Sequence, residues 1–79
     1  MIPITKALFE ELEKRGYSPK YMAYPHDQIE VFGNRDDDDD LIGLSENQIW
    51  LAGDDIMLEY SEISQPLIER VLEKWPRKS

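Results

Sequence analysis

Residues 41–60 read LIGLSENQIWLAGDDIMLEY. Apolar runs over 41–44, 48–51 and 56–60 are separated by Ser45-Glu46-Asn47 and by Gly53-Asp54-Asp55. Runs this short, joined by turn-forming residues at a spacing near eight, predict strands of an antiparallel meander. A period of two then sorts the side chains. Ile42, Leu44, Ile49, Leu51, Ile56, Leu58 and Tyr60 fall on one face, which is uniformly apolar and is expected to meet the core. Gln48, Trp50, Met57 and Glu59 fall on the other, where large apolar groups sit beside a carboxylate.

The pattern extends upstream. Ile29-Glu30-Val31-Phe32 alternates in the same way, adding Ile29 and Val31 to the core face and Glu30 and Phe32 to the outer one. Tyr21-Met22-Ala23-Tyr24 is a further strand-like run, set off by the turn residues Pro25-His26-Asp27-Gln28. Whether 21–24 joins the sheet or only covers it stays open, so a sheet of three to four strands is expected. Gly33-Asn34-Arg35 and the aspartates Asp36, Asp37, Asp38, Asp39 and Asp40 read as an acidic hairpin loop, since neither helix nor strand accommodates five adjacent carboxylates.

Both ends read as helices. Ile4, Leu8 and Leu12 recur at i, i+4 and i+8, Pro3 suits a first turn, and Gly16 can take the positive φ that closes a helix, so a helix is expected over 3–15. Ser64 can cap a second helix, Pro66 fits its first turn, and Leu67, Ile68, Val71, Leu72 and Trp75 form its stripe before Pro76. Core packing explains that stripe more simply than a partner groove does. The order is α-β-β-β-β-α. The expected fold is one α+β domain over 1–79, a two-layer sandwich with both helices on one face of an antiparallel sheet.

The chain has 79 residues, which limits it to one domain with a small core. It has no cysteine, which excludes disulfides, thiolate metal sites and a thiol nucleophile. No apolar run approaches the roughly 18 residues of a membrane-spanning helix and the first residues do not resemble a signal peptide, so a cytoplasmic address is expected. The net charge of −8 is unevenly spread. Residues 21–69 hold one base against thirteen acids, whereas residues 1–20 carry +1 and residues 70–79 carry +3. A field of that sign repels nucleic acid and anionic lipid and attracts basic proteins.

No constellation for chemistry emerges. In the aspartate run, Asp36, Asp38 and Asp40 match the first three acidic positions of a calcium-binding EF-hand loop, but Leu41 and Asn47 occupy the places of its glycine and glutamate. His26, the only histidine, lies in a turn; the serines have cap or turn explanations; no glycine-rich phosphate loop exists. The expectation is therefore a non-enzyme with no catalytic residue, cofactor or metal. What remains is the outer sheet face. Phe32, Trp50 and Met57, with Tyr24 or Met22 nearby, are expected to form an apolar patch rimmed by Glu30, Glu59 and Asp36 to Asp40, the make-up of a protein-binding surface.

In size and charge the chain resembles the small acidic proteins that phages and mobile elements make to block basic host proteins. That resemblance implies an inhibitor or nucleic-acid mimic, whose carboxylates stand in for phosphates. The expected partner is a basic protein, with no direct contact to nucleic acid or membrane, and the chain itself is expected as a monomer or homodimer. The alternative is an accessory domain whose acidity serves solubility alone.

Overall fold

The computed structural model describes residues 1–32 and 40–78. Its elements are α1 (Pro3–Lys14), β1 (Ser18–Met22), β2 (Gln28–Phe32), β3 (Asp40–Leu44), β4 (Gln48–Leu51), β5 (Ile56–Glu59) and α2 (Gln65–Val71). The strands form one antiparallel meander in the order β1-β2-β3-β4-β5. The α+β sandwich is thus as expected, but the sheet has five strands rather than three to four. The extra strand starts earlier than the apolar run 21–24: Ser18, Pro19 and Lys20 pair with Phe32, Val31 and Glu30, while Ala23 and Tyr24 lie outside the ladder.

α1 ends as its sequence dictates. Gly16 takes φ +98°, the Gly16 N–H bonds the Glu13 carbonyl, and the Tyr17 N–H reaches back to the Leu12 carbonyl, which satisfies two terminal carbonyls at once. Its other end has no capping side chain of its own; the Asp27 carboxylate, from the β1–β2 connection, accepts from the Ile2 N–H at 2.7 Å and the Thr5 hydroxyl at 2.8 Å instead. Ser64 caps α2 through the Leu67 N–H. α2 stops at Val71, and Leu72 and Trp75 reach the core from tight turns beyond it rather than from a continuous helix.

One face of the sheet is buried under both helices. Ile4, Leu8 and Leu12 of α1, Val71 and Leu72, and Trp75 pack with Ile29, Val31, Ile42, Leu44, Ile49 and Leu51. Two core-face residues depart from expectation. Ile56, at the start of the edge strand, is 44% exposed. Asp40 opens β3 rather than ending a loop; it lies opposite Val31, is buried, and meets Lys74 at 3.4 Å. It belongs to the helix side of the molecule and not to an exposed acidic rim. Gly53 admits this contact, since a Cβ there would lie 2.8 Å from the Asp40 carboxylate.

The last turns are tied to α1. Arg15, only 7% exposed, donates to the Leu72 carbonyl at 3.0 Å, the Trp75 carbonyl at 3.1 Å, Glu11 at 2.9 Å and Glu69 at 2.8 Å. Burial lowers the guanidinium pKa, but the bonds to Glu11 and Glu69 outweigh it and leave the group above its ordinary value. One charge therefore binds two carbonyls of the turns that follow α2, the Leu72 carbonyl also accepting the Trp75 N–H at 2.9 Å.

Candidate functional site

The outer sheet face carries the surplus apolar side chains. Ladder register places Met22, Gln28, Gly43, Trp50 and Met57 in one row across all five strands. Hydrogen-bond phase follows from the neighbouring rungs. The Tyr60 N–H bonds the Asn47 carbonyl at 3.0 Å, so alternation makes Trp50 and Met57 a non-hydrogen-bonded pair. Side chains in such pairs lie closest, with Cα atoms about 4.5 Å apart. Trp50 is 40% exposed and Met57 53% exposed, both toward solvent.

Gly43 shapes the other side of the indole. A Cβ at that position would stand 3.5 Å from the Trp50 ring and 3.4 Å from His26 Cε1. The indole and imidazole therefore close over bare backbone, leaving a shallow concavity of about 260 Å³ that Gln48, Ser45 and Met57 complete. His26 had no expected role, and no local pattern in the sequence signals one; its approach depends on the turn that carries it from β1 to β2. Beside it, Tyr24 is 90% exposed, next to the cis Tyr24–Pro25 bond.

The expected site residues do not all converge. Trp50, Met57 and Glu59 share β4 and β5, with Glu59 opposite Gln48. Phe32 stands opposite Ser18 at the far end of β2 and is half-buried. It is four residues, about 13 Å, along the strand from the Trp50 row. Glu30 lies between, opposite Lys20 and Leu41. Asp40 is turned to the helix side, and Asp36, Asp37, Asp38 and Asp39 lie outside the described residues. Of the described acids, Glu59 is exposed on this face beside Trp50 and Met57, whereas Glu46 lies with Ile2, Pro3 and Tyr60 toward the start of α1. Burial first, and the Glu46 charge second, hold the Tyr60 phenol above its usual pKa, while its hydroxyl donates to the Ser45 carbonyl at 2.7 Å.

The strongest polar clusters serve the fold. Asp27 takes donors from Ile2, Thr5 and Tyr21, the last at 2.7 Å. Among the described residues no group of three or more acidic or histidine side chains is arranged to hold a metal ion. No helix among them is long and apolar enough to cross a membrane. Comparisons with protein families, with curated proteins and with solved structures return no match.

Proposed function

We propose that this protein is a small acidic binding module that docks its outer sheet face on a basic protein. The observation that supports this most is the Trp50–Met57 pair, held side by side on the solvent face although twelve other apolar residues among those described fill the core. Large aromatic and sulfur side chains in a polar rim are the usual anchors of protein interfaces. The excess of acid over residues 21–69 supplies long-range attraction toward a basic surface.

The basic surface best matched is one that otherwise binds nucleic acid. Carboxylates on the sheet face and its connecting segments then stand in for phosphates, and the protein acts as a cytoplasmic inhibitor that occupies the nucleic-acid groove. Trp50 contributes a desolvated contact that salt does not screen. A competition experiment tests the reading: the captured partner should bind either this protein or its nucleic acid, and simultaneous binding of both would contradict the mimicry.

A further inference from the structure

The two edges of the sheet differ in a way that bears on how a partner is held. In β1 the ladder phase turns the backbone groups of Pro19 and Tyr21 outward, and Pro19 has no N–H to offer, so this edge is blunted. In β5 the same alternation turns outward the N–H and C=O of Met57 and Glu59, and among the described residues β5 pairs with β4 alone. Residues 54–62 read DDIMLEYSE, with no proline and no base among them, while Lys74 from beyond α2 meets Asp54 at 3.4 Å at one end of the strand.

Flanking β5 on the helix side is a groove of about 370 Å³ between the edge and α2, with Leu51, Ile56, Leu58 and Val71 as its apolar lining and two acids, Asp54 and Glu73, beside two bases, Arg70 and Lys74. On the outer side stand Met57 and Glu59. Asp54 and Asp55 mark one end of the strand and Glu59 and Glu62 the other, all exposed.

We infer that the β5 edge receives an extended segment of the partner as a sixth strand, one in which apolar residues alternate with lysine or arginine. This rests on the protein-binding reading above and names its mode. Main-chain bonds to Met57 and Glu59 supply affinity, as in other cases of strand addition. Alternate side chains of the incoming strand point to opposite faces. Its apolar residues enter the groove beside Ile56 and Leu58. Its basic residues lie on the outer face, stems along Met57 and charged heads toward Glu59, with Asp55 and Glu62 exposed at the two ends of the strand.

The test uses the full chain and a synthetic probe, a capped peptide of alternating lysine and valine, with a glutamate–valine peptide as its counterpart. Binding of the lysine peptide only, with slowed hydrogen exchange at the Met57 and Glu59 amides, is the expected result. Glu59→Pro removes one outward N–H and no ladder bond, so it should weaken the lysine peptide about tenfold, against about threefold for Glu59→Gln. Amide exchange in the wild type decides the matter even if the proline variant does not fold. Equal affinity for Glu59→Pro and wild type, unchanged exchange at both amides, or no peptide binding would overturn the inference. So would a dimer of the free chain that already protects Met57 and Glu59, since a second copy would then occupy the edge. Partner capture that still depends on Trp50 would, in any of these cases, leave the binding module standing without strand addition.

Discussion

Trp50 and Met57 face each other across β4 and β5 as a non-hydrogen-bonded pair on the solvent side of the sheet. Their backbone neighbours Ile49, Leu51 and Leu58 point the opposite way, the first two fully inside the core. Residues that hold the core and residues proposed to bind a partner thereby alternate along the same two strands, which makes the two roles separable by mutation.

Trp50→Ala and Met57→Ala should accordingly leave unfolding free energy within about 1 kcal/mol of wild type, because each side chain is about half exposed and cross-strand pairs contribute only about 0.2–1 kcal/mol. Trp50→Ala should cost about 2 kcal/mol of partner affinity, expressed mainly in the dissociation rate. Denaturant melts and surface-bound kinetics measure the two effects independently.

Raising salt from about 0.05 to 0.5 M should slow association by an order of magnitude or more while changing dissociation much less, since steering acts over the Debye length and the aromatic contact does not. Stopped-flow mixing at several ionic strengths reads this directly. A salt-independent association rate would remove the steering role of the acidic segment.

Arg15→Ala should destabilise the fold by about 3 kcal/mol, because the Leu72 and Trp75 carbonyls lose a buried charged donor and Glu11 loses its partner. Arg15→Lys should recover only part of this, as an ammonium cannot span four acceptors in the guanidinium's planar geometry. Urea unfolding of the three proteins checks the order.

Much of this molecule is legible in its sequence, and the exceptions share a cause. The core face of β2, β3 and β4 follows from a period of two, and Gly16 marks the end of α1 because only a residue without Cβ takes that φ at little cost. β1 was hidden because Ser18, Pro19 and Lys20 are poor strand formers, tolerated here at an edge. Asp40 and Arg15 look like surface charges, and each is buried by a partner distant in sequence, Lys74 for one and the carbonyls of Leu72 and Trp75 for the other. In the candidate site, the shared face of Trp50 and Met57 is readable from strand phase, and the register sets them opposite each other. The separation of Phe32 and the approach of His26 over Gly43 depend on register and on a turn, which composition does not encode.

Acid should unfold the protein partly through Asp27. The Ile2 N–H, and after it the hydroxyls of Tyr21 and Thr5, hold this carboxyl below the usual carboxylate range against the desolvation that opposes them. A carboxyl depressed in the folded state stabilises fully above its unfolded pKa, about 3.9, and loses that contribution as pH falls through the folded value. Glu69, depressed by Gln65 and Arg15, acts in the same window. Asp27→Asn should lower stability at pH 7 by about 1–2 kcal/mol and flatten its decline below about pH 4. Thermal melts from pH 2 to 7 on Asp27→Asn and Glu69→Gln separate the two contributions.

Trp75 is almost wholly buried, and among the described residues its indole N–H has no hydrogen-bond partner. Trp75→Phe removes that unpaired donor with modest loss of volume and should cost less than about 1.5 kcal/mol, whereas Trp75→Ala should cost about 3–5 kcal/mol. The same variants assign fluorescence: the red-edge emission belongs to Trp50 and should persist in Trp75→Phe.

The proposed docking role of the outer sheet face is tested most directly by parallel affinity capture from the source cell with the wild type and the folded Trp50→Ala variant as baits. The account predicts that the wild type retains a basic protein at stoichiometric yield and that Trp50→Ala loses it at moderate salt. Equal recovery of that protein by both baits, or no stoichiometric partner for either, would contradict it.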